Sequence, residues 1–299
     1  MSLFAGLSAF PLTPLNRDRI DERSFAALVQ RLQAAGVDSI TALGSTGSYA
    51  YLDGAERDRV AALAVEHAGG IPVFVGVGEL RTSRMLARID GAQAAGASGI
   101  MLAPLGYQKL NDQEVFELFA AASTHSELPI ILYDNPGTTH FAFTPQLYTR
   151  IAQLPNIASI KIPGVPAEPA AALGHVRRLR SVLPARVTLG VSGDQFGAAG
   201  LLAGCEAWYS VIGGTLPRLA LSLARLATSG QADAALAESR RLAPLWEQFA
   251  RFGSLRVTAA IAEQLGLVPE NCLPLPVQGL DARQRTELAR VVAQLGLAE

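Results

Sequence analysis

Ile157-Ala158-Ser159-Ile160-Lys161-Ile162 is a short apolar run, rich in β-branched residues, that contains one lysine. Near-continuous apolar runs are typical of parallel strands covered by helices. It is one of eight such runs, separated by helical patterns at a spacing of roughly 30 residues, which is the spacing of βα units. The eight predicted strands are residues 7–10, 39–43, 72–77, 99–103, 130–133, 158–162, 187–191 and 208–212.

The segments between these strands have the pattern of amphipathic helices, as in residues 21–35, 55–68, 82–95 and 112–123. Asp53, Thr82, Asn111 and Thr144 are predicted N-caps. Eight successive βα units indicate the α/β class and a closed (β/α)8 TIM barrel over residues 1–228. Residues 229–299 are predicted to form a C-terminal helical extension packed on the barrel, with helices at 233–252, 254–265 and 281–295.

Composition restricts the kind of partner. Hydrophobic residues make up 49% of the 299 residues and charged residues 17%, with a net charge of −1. This balance gives no reason to expect nucleic acid or a membrane as partner, and a small metabolite is the expected ligand. Two cysteines without CxxC spacing predict a cytoplasmic protein without a disulfide framework. The amino terminus does not have the pattern of a signal peptide.

The lysine content is unusual. Of the 25 Lys and Arg residues only Lys109 and Lys161 are lysines, and Lys161 lies in a predicted strand. Arginine cannot deprotonate to become a nucleophile, whereas burial lowers the pKa of a lysine and leaves more free amine to attack a carbonyl. A lysine at a strand end can also reach water along its alkyl stem, which is the structural alternative. We interpret Lys161 as a nucleophile that forms an imine.

Polar and conformationally special residues follow several predicted strands, at the carboxyl ends where TIM barrels place their active sites. Tyr133 ends one strand and is predicted to transfer protons, although core packing is the commoner role of a buried tyrosine. The loop Gly44-Ser45-Thr46-Gly47 can present backbone N–H groups and two hydroxyls to a carboxylate, or can be only a tight turn. Ser192-Gly193-Asp194 and Gly213-Gly214-Thr215 follow two later strands.

Other chemistries lack their motifs in this sequence. The four histidines have no metal-ligand spacing, so no metal is predicted. Gly76-Val77-Gly78 lacks the third glycine of a dinucleotide fingerprint, and neither GxxxxGK[ST] nor GxSxG occurs. No cofactor is therefore expected beyond the covalent imine on Lys161.

The motifs resemble those of the dihydrodipicolinate synthase and N-acetylneuraminate lyase superfamily. Five segments carry the resemblance in order, namely Gly44-Ser45-Thr46-Gly47, Tyr133-Asp134-Asn135-Pro136, Ile160-Lys161, Ser192-Gly193-Asp194, and Tyr209-Ser210-Val211 followed by Pro217. The resemblance implies a Schiff base on Lys161, with Tyr133 and Ser45 as proton relay. It implies that Thr46, Gly47 and Gly193 bind the substrate carboxylate and line its pocket. It also implies a homotetramer, built as a dimer of dimers, whose Tyr107 and Thr138 lie near the substrate.

Departures from the family pattern leave the substrate open. Ser48 stands in place of a glutamate, Asp134 in place of an asparagine, and Thr138 in place of the arginine that dihydrodipicolinate synthases use for their second substrate. Tyr107 is displaced by one position. The leading hypothesis is an aldolase or dehydratase acting on pyruvate or a sugar-derived 2-oxo acid. The alternatives are a dihydrodipicolinate synthase and a barrel that binds 2-oxo acids without turnover.

Overall fold

The computed structural model describes residues 3–297 and shows a closed barrel of eight parallel strands. The first strand pairs with both the last barrel strand and the next one along the chain, which closes the sheet. A separate two-stranded antiparallel hairpin follows the first strand. The strands are β1 (Gly6–Ala9), β2 (Leu15–Asn16), β3 (Arg19–Ile20), β4 (Ser39–Ala42), β5 (Val73–Gly76), β6 (Gly99–Leu102), β7 (Ile130–Tyr133), β8 (Ile157–Ile162), β9 (Thr188–Ser192) and β10 (Ala207–Ser210).

Helices follow the barrel strands and cover the outside of the sheet. None of them, within residues 3–297, is long and apolar enough to cross a membrane. They are α1 (Glu22–Ala35), α2 (Gly54–His67), α3 (Thr82–Ala94), α4 (Asp112–His125), α5 (Pro136–Thr139), α6 (Pro145–Ala152), α7 (Pro169–Arg180), α8 (Gly197–Leu202), α9 (Pro217–Thr228), α10 (Ala232–Arg241), α11 (Ala243–Phe252), α12 (Ser254–Gln264) and α13 (Ala282–Gln294).

The predicted (β/α)8 TIM barrel with C-terminal helices is confirmed. Each predicted strand coincides with a barrel strand to within two residues at either end, and β7 has the predicted bounds. The hairpin β2–β3 was not predicted, because two residues a strand give no alternating pattern to detect. The division of the chain at residue 228 stays a prediction, although α9 ends there.

Two helix predictions were wrong. Thr82 is the first residue of α3 rather than its N-cap, since the cap is Arg81, which makes no capping hydrogen bond through its side chain. The predicted single helix over residues 233–252 is two helices that meet at Leu242. Pro244 lies in the first turn of α11, where its missing N–H is tolerated, whereas inside one continuous helix it would remove a hydrogen bond. The predicted caps Asp53, Asn111 and Thr144 are confirmed.

The barrel interior is filled by large side chains. Phe10, Phe74, Met101, Tyr133 and Tyr209 belong to one buried cluster. Polar side chains inside the barrel are paired, with Ser8 and Thr41 joined at 2.7 Å and Ser159 and Tyr209 at 2.8 Å between their hydroxyl oxygens. Because the lower interior is packed in this way, the space for a ligand inside the described part of the barrel lies near the carboxyl ends of the strands.

One glycine of the barrel allows a close approach between neighbouring strands. A Cβ at Gly76 would lie 1.8 Å from the carbonyl oxygen of Leu43, which is backbone and cannot move away cheaply. We expect Gly76→Ala to lower the free energy of unfolding by about 3 kcal/mol, measured by urea denaturation. The control is Gly174→Ala inside α7, where an added Cβ meets only the end of the Arg178 side chain at 3.4 Å. That change should raise stability by about 0.5–1 kcal/mol. Equal stability of the two variants would contradict the expectation.

Candidate active site

A cavity of about 630 Å³ opens at the carboxyl ends of the barrel strands. Six of the predicted site residues line it together, although they come from four different strand ends and loops. They are Ser45, Thr46, Tyr133, Thr138, Lys161 and Gly193. The positions of these residues agree with the predicted site, while their chemical roles stay predictions.

Lys161 lies at the penultimate position of β8 with only 4% of its surface exposed. Its register partners are Tyr133 on β7 and Gly190 on β9, so the tyrosine and the lysine occupy neighbouring positions on adjacent strands. The amine nitrogen lies 3.7 Å from the centroid of the Tyr133 ring and 5.3 Å from that of Phe10. The barrel therefore holds the amine against aromatic faces at the base of the cavity.

The surroundings of Lys161 favour a reactive amine. Burial lowers the pKa of Lys161 below its ordinary value, while Tyr133 and the carboxyls of Asp194 and Asp134 act in the opposite direction. No described carboxylate forms an ion pair with it. A lysine held in this way keeps more of the neutral amine that can attack a carbonyl carbon.

The hydroxyl of Tyr133 has polar neighbours besides Lys161. The side-chain amide of Asn135 donates to it at 2.7 Å, and the Ser45 hydroxyl oxygen lies 3.4 Å away. Because Asn135 donates, the phenolic proton of Tyr133 is free to point towards Ser45 or a ligand. Donation by the amide also stabilises the oxygen after that proton has left. Asn135 lies in the segment Tyr133-Asp134-Asn135-Pro136, but no role was predicted for it.

The loop after β4 is held in a compact turn. Leu43 and Ser48, which flank it, both have positive φ values of 56° and 54°, and the Ser48 N–H donates to the carbonyl oxygen of Ser45 at 3.1 Å. Thr46 is buried and lines the cavity. Gly47 does not line it, and an added Cβ there would lie 3.0 Å from the backbone nitrogen of Leu43. Gly47 therefore supports the turn from behind.

Asp194 holds the opposite side of the cavity in place. One of its carboxylate oxygens accepts from the Ser210 hydroxyl at 2.8 Å and from the N–H of Val211 at 3.2 Å, and the other accepts from the N–H of Ile212 at 2.8 Å. Burial raises its pKa to about 6 against these hydrogen bonds. Because both oxygens accept hydrogen bonds, Asp194 fixes the turn after β10. It also holds the adjacent residue Gly193, whose φ is +78°.

A second buried carboxyl lies directly after Tyr133. Asp134 accepts a hydrogen bond from the hydroxyl of Tyr148 on α6, and its other oxygen has no hydrogen-bond partner. Burial raises the pKa of Asp134 to about 6, although Tyr148 and Lys161 favour its charged form. A carboxyl whose folded pKa lies above its unfolded value destabilises the fold as the pH rises from about 4 to about 6, and the loss is complete above that range.

We expect Asp134→Asn to raise the free energy of unfolding by about 1–3 kcal/mol near pH 8, because the amide needs no charge in the buried site. The difference should shrink to a small remainder at about pH 4, where the wild-type carboxyl is protonated in the folded protein and about half protonated in the unfolded chain. Urea denaturation at the two pH values measures it. Asp18→Asn, at an exposed position, is the control and should show no such pH dependence. A difference that does not change with pH would contradict the expectation.

Three features of the site differ from the sequence prediction, and the first is Gly47, which supports the turn and does not line the cavity. Tyr107 is 90% exposed and does not line the cavity of its own chain. The C-terminal helices contribute a wall that was not predicted, made by Phe249, Ala250, Gly253, Ser254 and Leu255. The apolar spacing of α11 indicated only packing against the barrel, so no sequence signal distinguished Phe249 from a core residue.

A (β/α)8 barrel with one buried lysine among aromatic and hydroxyl groups at its open end is the arrangement expected of a class I aldolase-type lyase, and the family to which the chain belongs consists of such carbon–carbon or carbon–oxygen lyases. The dihydrodipicolinate synthetase family model matches residues 3–295. The chain belongs to this family.

Relatives of known name are similar to this chain over nearly its whole length. The chain is 31% identical to the 4-hydroxy-tetrahydrodipicolinate synthase of Hyphomonas neptunium, covering 98% of this chain and 99% of the relative. It is also 31% identical to the enzyme of that name from Pseudomonas aeruginosa, covering 99% of both. The crystal structure of a dihydrodipicolinate synthase from Agrobacterium tumefaciens is similar with a TM-score of 0.94 and 40% identity, covering 98% of each chain. The family resemblance inferred from the motifs is thereby confirmed.

Proposed function

We propose that this protein is a lyase that binds pyruvate or a sugar-derived 2-oxo acid as an imine on Lys161 and catalyses aldol cleavage or dehydration. The observation that carries the proposal is the position of Lys161, which is 4% exposed at the end of β8 with its amine 3.7 Å from the Tyr133 ring centroid. A family of class I aldolase-type lyases supports the same chemistry.

The first step is attack of the neutral amine of Lys161 on the oxo carbon of the substrate. The carbonyl oxygen leaves as water after two proton transfers, and the C=N bond of the imine forms. Protonated imine nitrogen then accepts the electron pair released when a C–C bond breaks or a hydroxyl leaves, which gives an enamine. Because the imine is itself the electron sink, this chemistry needs no external cofactor.

Tyr133 is the proposed proton carrier. In the imine-forming steps its hydroxyl passes a proton from the attacking amine to the carbonyl oxygen, then gives its own proton to that oxygen, which leaves as water. Ser45, with its oxygen 3.4 Å from that of Tyr133, relays the proton towards the cavity. Tyr133 is left as a phenolate, which in aldol cleavage accepts the proton of the substrate hydroxyl whose C–C bond breaks. Protonation of the enamine and addition of water to the imine then release the product and restore Lys161.

The substrate carboxylate is proposed to bind at the loop after β4. Thr46 supplies a hydroxyl, and its backbone N–H supplies a further donor. The carbonyl of Gly193 lies on the other side of the cavity, and Thr138 lies in the wall towards solvent. This arrangement would place the oxo carbon between the carboxylate site and Lys161.

The test is reductive trapping with pyruvate and borohydride, followed by intact-mass and peptide analysis. Hydride adds to the imine carbon and leaves a stable secondary amine on the lysine. The chain offers a sharp control, because Lys109 is the only other lysine. Lys109→Arg should trap one pyruvyl group on Lys161, and Lys161→Arg should trap none. Absence of an adduct with pyruvate and with larger 2-oxo acids would overturn the proposal. Tight binding of these acids without an imine would support the alternative of a barrel that binds 2-oxo acids without turnover.

A second candidate is a 4-hydroxy-tetrahydrodipicolinate synthase. The observation that favours it is the name shared by relatives that are 31% identical over nearly the full chain. One departure from the family pattern counts against it, because Thr138 stands where synthases carry the arginine that binds the second substrate. Incubation of the purified protein with pyruvate and aspartate semialdehyde distinguishes the two candidate functions. Formation of the condensation product would establish this candidate, and trapping of pyruvate without condensation would exclude it.

The proposed assembly is a homotetramer in the cytoplasm. Its motivation in the structure is Tyr107, which is 90% exposed although aromatic side chains are rarely left so open. In a dimer of dimers, Tyr107 would be covered by a partner subunit beside the cavity. Sedimentation of the wild type and of Tyr107→Ser tests this, because the variant should dissociate more readily. A monomeric wild-type protein at micromolar concentration would contradict it.

A further inference from the structure

The charges around the cavity are distributed unevenly. Of the residues that line it within the described chain, only Lys161 and Asp194 are charged, and all others carry hydroxyl, amide, aromatic or aliphatic side chains. In the proposed function the amine of Lys161 becomes the imine. Both oxygens of Asp194 are already engaged by Ser210 and by the turn after β10. The cavity therefore has no described cation left for a second acidic group.

Arg57, which contacts the cavity-lining Tyr49, is held by groups outside the cavity. Arg57 donates to Glu79 at 2.9 Å and to the carbonyl oxygens of Gly76 and Gly78, and it lies behind the ring of Tyr49. Arg57 does not line the cavity. Its charge is therefore satisfied without a ligand.

Two further arginines flank the wall formed by the C-terminal helices. Arg251 forms an ion pair with Glu287, and the Nε atom of Arg256 donates to the carbonyl oxygen of Gln278 at 3.0 Å. Neither lines the cavity, although Ala250, Gly253, Ser254 and Leu255 beside them do. The helices therefore present small, apolar and hydroxyl groups to a ligand. The guanidinium of Arg256 does not line the cavity, although one of its nitrogens lies 3.8 Å from where a Cβ of Gly253 would be.

We propose that the cavity selects 2-oxo acids whose chain beyond the oxo carbon is uncharged, and that it rejects those ending in a second carboxylate or a phosphate. The inference rests on the proposed imine function and names the substrate class for it. Hydroxyl groups of Thr138, Ser192 and Ser254 suit a hydroxylated tail, while Phe249 and Leu255 pack against its C–H groups. An anionic tail would lose water without gaining a cation and would face Asp194.

The test compares two six-carbon ligands that differ only at the last carbon. A 2-oxo-3-deoxyhexonate ends in a hydroxymethyl group, and a 2-oxo-3-deoxyhexarate ends in a carboxylate. The concentration of each that gives half-maximal trapping on Lys161 with borohydride is measured by intact mass. We expect the hexarate to require about 10- to 100-fold more than the hexonate. Equal concentrations for the two ligands would overturn the inference.

Variants in the helical wall sharpen the test. Ser254→Arg places a cation in the lining and should lower the half-trapping concentration of the hexarate relative to the hexonate by about 10-fold. Ser254→Gln, long but neutral, should give no such gain. Arg256→Gln should leave the ratio of the two concentrations as in the wild type. A selective loss of hexarate trapping in Arg256→Gln would show that Arg256 reaches the ligand and would overturn the inference.

The two proposals fail in different ways. Absence of any adduct with pyruvate and with the larger 2-oxo acids would overturn the imine function and, with it, the inference about the tail. An adduct with pyruvate together with equal trapping of hexonate and hexarate would overturn the inference alone and leave the imine function standing.

Discussion

Replacing Lys161 by methionine is expected to abolish turnover and, at the same time, to make the protein more stable. Methionine has a similar length and no amine, so no imine forms and the rate should fall by about 10⁴-fold or more. Because Lys161 is buried without an ion pair, removing its amine should raise the free energy of unfolding by about 1–3 kcal/mol near pH 7. Initial rates and urea midpoints measure the two effects.

The pH dependence of this gain follows from the lowered pKa of Lys161. At neutral pH the unfolded chain holds a proton on this lysine more firmly than the folded protein does. Wild-type stability from this group therefore increases as the pH rises towards the unfolded value of about 10.4. The advantage of Lys161→Met should shrink over the same range.

Lys109→Met is the control for both effects, because Lys109 is exposed and should change neither rate nor stability. Residual turnover in Lys161→Met would mean that another group carries the chemistry. A loss of stability would mean that the contacts of the amine with the Phe10 and Tyr133 rings outweigh the cost of burying it.

Replacing Tyr133 by phenylalanine is expected to lower kcat by about 10²- to 10³-fold, because proton transfer loses its carrier while the ring remains in place. Reductive trapping of pyruvate should still reach completion, only more slowly. Ser45→Ala is the comparison, since Ser45 contacts Tyr133 only at 3.4 Å. Loss of that weak contact should lower kcat by about fivefold. A larger effect in Ser45→Ala than in Tyr133→Phe would assign the proton transfer to the serine.

The barrel could be predicted because its strands are local signals. Each strand is an apolar run that can be detected from a few residues. Strand β8 is six residues long and includes Lys161. The ends of strands were less certain, since hydrogen bonds to the neighbouring strand decide them. The break at Leu242 depends on one proline within a pattern that otherwise indicates one helix.

The base of the site could be predicted because residues at strand ends converge in any parallel barrel. Lys161 and Tyr133 are register partners for this reason. The outer wall could not be predicted in the same way. Phe249 and Leu255 reach the cavity only because α11 and α12 pack over the carboxyl ends of the strands, and nothing in their spacing specifies that contact.

Because of the position of this wall, the residues proposed for catalysis and those proposed to contact the substrate tail lie in different parts of the chain. The groups proposed for bond breaking are on β7, β8 and the loop after β4, whereas Ala250, Ser254 and Leu255 follow all eight barrel strands. Substitutions in the wall can therefore be accepted without disturbing the sheet. A combinatorial library of these three positions is a small search space for redirecting the enzyme towards other tails.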